Sequence, residues 1–216
     1  MTLSDVRKEH AEAEAIRRCQ QGDIAGLEPL VASYQVPGVR LAYLLTGDRE
    51  LADDIVQDSF LHAYRGIGRF RLGEHFAPWF YRIVTNTARQ QRRYARHRRE
   101  VSLDALSLDD ATEQQLGATM GSSHAYRADP AEYAEWAETR TALLNALSTL
   151  PHKQREAVVL RYYFGYTDQE VAGILGCRLG TVQQRLHAGR ASLKQAIRRR
   201  YPWLLSSLST LPTSES

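Results

Sequence analysis

The stretch Thr167–Leu193, TDQEVAGILGCRLGTVQQRLHAGRASL, decides the fold of the second half of the chain. Thr167 and Glu170 stand at the spacing of a capping box, in which each side chain satisfies a free backbone N–H at a helix start. Gly176 can end this first helix in the left-handed conformation, and Thr181 is predicted to cap a second helix after a short turn. Two helices joined in this way predict a helix-turn-helix, with a plain helical hairpin as the simpler alternative.

The second of these helices has two different faces. Val182, Leu186, Leu193 and Ile197 form an apolar stripe, and Gly189 between them allows a close approach to a neighbouring helix. The leading turns of such a helix enter the major groove, where glutamine and arginine side chains pair with base edges. The polar face consists of Gln184, His187, Ala188, Ala191, Lys194 and Arg198, with Gln183 beside it.

Another basic helix is predicted over Trp79–Arg99. Its periodicity places one group of residues on a packing side and the arginines on the opposite side. Seven arginines and only one acid lie between Arg82 and Glu100, so the arginine side favours binding to a phosphate backbone over a merely solvated face. The packing side consists of Phe80, Ile83, Val84, Thr87 and Gln91, and the opposite side of Arg82, Asn86, Arg89, Arg93 and Arg96.

The loop before this helix, Phe70–Trp79, combines aromatic and basic side chains. Aromatic rings stack on the face of any unpaired base, so the loop is suited to single-stranded nucleic acid. Packing in a core is the alternative for Trp79 and Tyr81.

Further upstream, Leu51–Ile67 predicts an amphipathic helix. Its apolar residues recur every three or four positions, whereas Asp54, Gln57 and Asp58 share another face. Asp54 and Asp58 repel each other at this spacing, so an isolated helix gains nothing from the pair. The acidic face therefore predicts a docking surface for a basic partner, with a solvated face as the alternative.

Charge and composition divide the chain into four parts. With 216 residues, 43% of them hydrophobic, the chain is long enough for two small domains with buried cores. Glycines and prolines, Pro37 and Pro78 among them, fall between helix-length segments, and the acidic middle with its glycines and serines is typical of a linker. The predicted fold is therefore all-α, with four helices over 6–99, a flexible acidic linker over 100–132, four shorter helices over 133–200 and a frayed tail over 201–216.

Several classes of protein are excluded on the same basis. The two cysteines, Cys19 and Cys177, lie far apart, which argues against a zinc site or a disulfide framework and fits a reducing compartment. No segment approaches the roughly 20 apolar residues of a membrane span, and the polar N-terminus is unlike a signal peptide. We therefore expect a cytoplasmic protein without membrane insertion. The carboxylates Asp53, Asp54 and Asp58 lie on one predicted helix with no supporting acid elsewhere, so no catalytic residue, metal site or cofactor is predicted.

Three ordered segments resemble the sigma factors of bacterial RNA polymerase, and among them the extracytoplasmic-function (ECF) group of the sigma-70 family. ADDIVQDSFLHAYRGIGRF, residues 52–70, is similar to the polymerase-docking part of the family's second conserved region. FAPWFYRIVTNTARQQRR, residues 76–93, is similar to the adjoining part that melts and reads the minus-ten promoter element. Residues 147–193 are similar to the fourth conserved region, which reads the minus-thirty-five element.

The resemblance implies partners and residue roles. The partners would be core RNA polymerase and promoter DNA, double-stranded upstream and single-stranded at the melted element, with an anti-sigma factor as a further partner. Such a protein acts without enzymatic activity. Contacts to polymerase would come from Asp53, Asp54, Gln57, Asp58 and Phe60. The minus-ten element would meet Phe70, Arg71, His75, Trp79, Arg82, Asn86, Arg89, Arg92 and Arg93. The upstream element would meet Thr181, Gln183, Gln184, Arg185, His187 and Arg190.

The sequence also departs from the family pattern at its DNA-reading helix. Gln183 and Gln184 stand where the family usually has a basic residue and a small hydroxyl, and Ala188 stands where it often has an arginine. Two other hypotheses stay open at this point. An ordinary helix-turn-helix regulator would bind DNA as a dimer without polymerase, and a DNA-processing enzyme would need a nucleophile or clustered metal-binding carboxylates.

Overall fold

The computed structural model describes residues 3–103 and 130–204, and these residues contain helices and no strand. The prediction of an all-α fold is confirmed. The N-terminal unit consists of α1 (Leu3–Gln20), α2 (Leu27–Thr46), α3 (Arg49–Gly66) and α4 (Phe76–Leu103), and the C-terminal unit of α5 (Pro130–Ser148), α6 (His152–Val158), α7 (Asp168–Leu175) and α8 (Leu179–Arg200). Most of the predicted linker, 104–129, and the predicted tail after 204 lie outside the described residues. None of the described helices is long and apolar enough to cross a membrane.

A cluster of aromatic rings forms the core of the N-terminal unit. Phe80 of α4 stacks on Phe60 of α3 with 4.5 Å between the ring centroids, and on Phe76 with 5.7 Å. At Gly38 of α2, an added Cβ would lie 3.2 Å from Phe80 Cε1. Glycine at this position therefore lets α2 approach the aromatic cluster. The packing of α2, α3 and α4 in turn positions the acidic face of α3 and the cations of α4.

Two prolines that were predicted to separate helices lie inside them instead. Pro78 is the third residue of α4, where its missing N–H costs little because the first-turn N–H groups have no partner within the helix. Pro37 lies in the middle of α2 and removes one backbone hydrogen bond. Buried side chains on both sides of it, Leu30 and Leu41, offset this loss by fixing both halves of the helix against the core.

The helix-turn-helix prediction is confirmed in its first helix and corrected at the start of its second. Thr167 caps α7: the Glu170 backbone N–H donates to Thr167 Oγ1 at 3.3 Å, and the Thr167 N–H donates to Glu170 Oε2 at 2.8 Å. Gly176 ends α7 with φ +63°. Thr181 does not cap α8, because the helix begins two residues earlier at Leu179, with Arg178 extended before it.

The first residues of the predicted frayed tail are packed against the C-terminal unit. Leu204 is 1% exposed and contacts a small apolar cluster that contains Ala142, Ala146 and Ile197. The Asn145 amide nitrogen lies 3.2 Å from the Tyr201 hydroxyl. The chain from 201 to 204 therefore extends the core between α5 and α8. The sequence could not predict this packing, because it depends on how α5 and α8 lie against each other.

The two units pack against each other, although the sequence predicted them as separate domains. One buried apolar cluster runs from α2, α3 and α4 into α6, α7 and α8. Tyr81 of α4 is 5% exposed, and its ring lies 5.1 Å from Phe164 and 6.1 Å from Tyr166 of the C-terminal unit. Burial raises the pKa of Tyr81 to about 12. The side of α4 that faces the C-terminal unit is thus a second packing surface.

Candidate nucleic-acid interface

The acidic face of α3 is accessible, with one exception among the predicted residues. Asp54 and Gln57 are exposed, and Asp53 and Asp58 are half-buried. Phe60 is 6% exposed and its ring belongs to the aromatic core, so it supports the helix from inside and presents no surface to a partner. The residues available for docking are therefore the polar ones.

The line of cations along α4 is also present, on the side away from the core of its own unit. Arg82, Asn86, Arg92 and Arg93 are exposed, whereas Phe80, Val84 and Thr87 on the packing side are at most 4% exposed. These buried positions lie on the packing side that the sequence predicted. The side chains from 95 to 103, which include Arg96, lie outside the described residues.

Arg89 differs from the other cations of α4 because it is paired with an acid of the C-terminal unit. Its Nε donates to Glu156 Oε1 at 2.7 Å and its Nη2 to Glu156 Oε2 at 2.6 Å. Its Nη1 also donates to Asn86 Oδ1 at 3.2 Å. The hydrogen bonds that Arg89 donates to Glu156 raise the pKa of its guanidinium, so it stays cationic within this contact.

The loop before α4 uses its aromatic rings for packing. Phe70 is 5% exposed, and its ring meets Phe76 at 5.9 Å and the half-buried Trp79 at 5.2 Å. Gln20 of α1 fixes the start of the loop, because its side-chain amide donates to the Phe70 carbonyl at 2.9 Å. Phe70 and Trp79, predicted to contact bases, therefore build the loop, whereas the predicted polar contacts Arg71 and His75 are exposed.

The polar face of α8 is open along its leading turns. Gln183, Gln184, His187 and Arg190 are exposed, and Thr181 and Arg185 are half-buried. The buried stripe is confirmed at three positions, because Val182, Leu186 and Ile197 are at most 5% exposed, while Leu193 is half-buried. Arg185 points back toward the turn, with its Nη1 3.6 Å from Cys177 Sγ. The helix therefore presents two neighbouring glutamine amides with a histidine and an arginine, a set that can read base edges and bind phosphates.

The sequence did not single out the ionisable residues of α6 that join the two units. Glu156 is fully buried, and His152 Nδ1 lies 2.7 Å from its Oε1. Arg155 Nη1 donates to the Leu45 carbonyl of α2 at 3.0 Å. Burial, and then the nearby cation of Arg92, lower the pKa of Arg155. The only available signal was one acid directly before the apolar run from 157 to 160, where a carboxylate without a partner would be costly.

Nothing in the described part of the chain resembles a metal centre. Across residues 3–103 and 130–204 there is no group of three or more histidine, cysteine or acidic side chains that could hold a metal ion. Cys19 is buried and Cys177 half-buried, and both are free thiols. Burial raises the pKa of Cys19, and Asp23 raises it further. The thiol of Cys19 is thus kept protonated inside the N-terminal unit.

Comparison with known proteins assigns the two units. Residues 30–99 match the family model of sigma-70 region 2, and residues 140–193 match that of sigma-70 region 4. The chain is 31% identical to the ECF RNA polymerase sigma-E factor of Salmonella typhimurium over 184 residues, which are 84% of this chain and 92% of that protein.

Two solved structures share the fold. CnrH, in a complex with the cytosolic domain of CnrY, has a TM-score of 0.59 and 23% identity, over 88% of this chain and 99% of its own. The sigma factor RpoE of Bartonella quintana, solved with the anti-sigma factor NepR, has a TM-score of 0.56 and 24% identity, over 76% of this chain and 91% of its own. The matches to both regions and the identity to sigma-E show the family: the chain belongs to the ECF group of the sigma-70 family, the sigma factors of bacterial RNA polymerase.

Proposed function

We propose that this sigma factor docks on core RNA polymerase through the acidic face of α3 and contacts promoter DNA through α4 and α8. The observation that carries the proposal is the placement of the three surfaces. Asp54 and Gln57 are exposed on α3, the cations of α4 lie on the same unit, and the polar face of α8 lies on the other unit. Single DNA-binding modules bury only about 600–1,000 Å² on DNA, so two of them need a partner that sets their separation.

Each surface contributes a different kind of contact. The guanidinium groups of Arg82, Arg92 and Arg93 are suited to phosphates, which give affinity independent of sequence. The amides of Gln183 and Gln184 are suited to adenine edges in the major groove. Arg71 and His75 lie on the loop beside α4, where a melted strand would pass. The protein acts by binding alone, without catalysis, and works in the cytoplasm with the polymerase. An anti-sigma factor is a further partner that family membership suggests.

Removing the docking surface tests the proposal. The double substitution Asp54→Ala with Gln57→Ala should abolish binding to core polymerase and run-off transcription, because the polar contact surface of α3 is lost. The fold should be unchanged, since both side chains are exposed. The matched control is Glu28→Ala with Gln35→Ala, which removes an acid and an amide from exposed positions of α2 in the same unit.

The alternative of a regulator that acts without polymerase is tested at the same time. We expect the free protein to bind promoter duplexes weakly in an anisotropy titration and to gain sequence specificity only with core polymerase. Nanomolar, sequence-specific binding by the protein alone, unaffected by the α3 substitutions, would overturn the proposal and support the regulator.

A further inference from the structure

Arg89, a cation proposed to bind DNA, is paired with Glu156, an acid of the other unit. Arg89 lies in the cationic line proposed to bind DNA, and Glu156 lies in the C-terminal unit, 67 positions further along the chain. Both carboxylate oxygens accept from the guanidinium, at 2.7 and 2.6 Å, the paired geometry in which arginine also binds phosphate. Glu156 is fully buried and Arg89 is half-buried, so the pair covers Arg89, which lies midway along α4.

Other contacts hold the two units in the same arrangement. Tyr81, about two turns before Arg89 on α4, packs against Phe164 and Tyr166. Arg155, beside Glu156, donates to the carbonyl of Leu45 in α2. The contact therefore combines apolar packing with one charged pair at its centre.

We propose that Glu156 takes the place of a DNA phosphate on Arg89 and holds the free chain closed, so that the N-terminal unit cannot use this part of α4 for DNA. The proposal rests on the proposed function of α4 as a DNA-binding helix. A carboxylate and a phosphate both offer two anionic oxygens to a guanidinium, so each excludes the other. The polar face of α8 and the acidic face of α3 stay exposed in the closed chain, so the closure acts on α4 alone.

A charged pair suits a contact that must open. Its attraction is partly offset by the cost of removing both groups from water, so the intact pair holds the closed form without making it irreversible. Removing one partner, in contrast, leaves the other charge buried without compensation and destabilises the contact. When the units separate, both groups regain water, and Arg89 becomes free to bind a phosphate. A purely apolar contact of the same size would leave an exposed hydrophobic surface after opening. The His152 ring at 2.7 Å also gives Glu156 a partner that stays within α6 after opening.

The test removes the charge of Glu156 and keeps its shape. In Glu156→Gln the full chain should open, which small-angle X-ray scattering would detect as a larger radius of gyration. Its affinity for a short fluorescein-labelled DNA duplex should rise by about tenfold, since apparent affinity scales with the fraction of molecules in the competent state. The matched control is Glu138→Gln, which makes the same chemical change at an exposed position of α5 and should resemble the unchanged protein.

Equal affinity and equal radius of gyration in Glu156→Gln and Glu138→Gln would overturn the closure, as would a larger radius without tighter binding. If circular dichroism shows that Glu156→Gln is unfolded, Phe164→Ala decides the question in the same two measurements. It loosens the contact with Tyr81 from the apolar side, and Tyr162→Ala, at a 55% exposed ring, is its control. If the unchanged protein supported no transcription with core polymerase, the proposed function itself would be refuted. The two failures are therefore distinguishable.

Discussion

Gly189 sets the distance between α6 and α8, the helix proposed to read DNA, and Gly189→Ala is expected to destabilise the protein. A Cβ at this position would lie 2.8 Å from Val158 Cγ2, with Gln154 Cβ at 3.5 Å behind it. Carbon atoms pack favourably at about 3.5–4.0 Å, so the two must move apart by roughly 1 Å. Val158 is 4% exposed and β-branched, so its methyl group cannot turn aside without meeting other core atoms.

Two opposing contributions determine the magnitude. Overpacking a core typically costs about 1–3 kcal/mol, whereas replacing glycine by alanine in a helix contributes up to about 1 kcal/mol in favour of folding. The free energy of unfolding should therefore fall by about 1–2 kcal/mol. Gly180→Ala in the same helix is the matched control, because nothing lies within 4 Å of its added Cβ. That substitution should leave stability unchanged or raise it by up to about 1 kcal/mol.

Urea denaturation of both variants, followed by circular dichroism, measures the difference. Adding Val158→Ala to Gly189→Ala should recover part of the loss, because it removes the methyl group that the new Cβ meets. The reasoning would be refuted if Gly189→Ala were as stable as Gly180→Ala. It would also be refuted if Val158→Ala cost the same free energy of unfolding whether position 189 held glycine or alanine. A displaced α8 should also weaken binding to the upstream promoter element.

Three further predictions concern binding and pH. Arg93→Gln should weaken DNA binding of the polymerase complex equally on all sequences and lower the slope of log affinity against log salt by about 1, measured by anisotropy at several salt concentrations. Gln184→Ala should instead change the preference among upstream sequences, by about 1–3 kcal/mol at one base pair, measured on a promoter panel. Burial alone would raise the pKa of Glu156, but hydrogen bonds from Arg89 and His152 hold it below its ordinary value. Its contribution to stability is therefore complete above about pH 4.3 and lost as the pH falls through the lowered pKa, so the difference in unfolding free energy between the unchanged protein and Glu156→Gln should shrink in acid.

Features that depend on neighbouring residues in the sequence could be predicted. The capping box at Thr167 and the left-handed Gly176 follow from spacing and residue type alone, because their hydrogen bonds close within a few residues. The division of α4 follows from its periodicity, since one face packs on α2 and α3. The start of α8 was predicted wrongly because Thr181 has the residue type of a good cap. The helix begins earlier, at Leu179, directly after the extended backbone of Arg178.

Features that depend on contacts between the two units could not be predicted. The pattern of α4 has a single packing side, yet Tyr81 is buried on another side, against Phe164 and Tyr166 of the C-terminal unit. The sequence marks Glu156 only as one acid before an apolar run and gives no sign of its partner, because Arg89 is separated from it by 67 positions. Phe60 falls on the apolar stripe of its helix, and its stacking on Phe80 places it in the core. Phe70 was predicted to contact bases, and only its packing against Phe76 shows that it belongs to the core as well.

The order of binding follows from which surfaces the closed chain leaves exposed. Asp54 and Gln57 are accessible while Arg89 is paired, so core polymerase can dock before α4 is released. A partner that binds the open chain better than the closed one shifts the population toward the open form, by an amount set by that difference in affinity. If polymerase holds the two units apart, as the separated promoter elements require, it raises the affinity of α4 for DNA without touching Arg89. Linkage then requires the converse: DNA bound at Arg89 strengthens the hold of the sigma factor on polymerase by the same factor. Disrupting the pair with Glu156→Gln should reduce this mutual dependence, while the contacts of α3 and α8 stay the same.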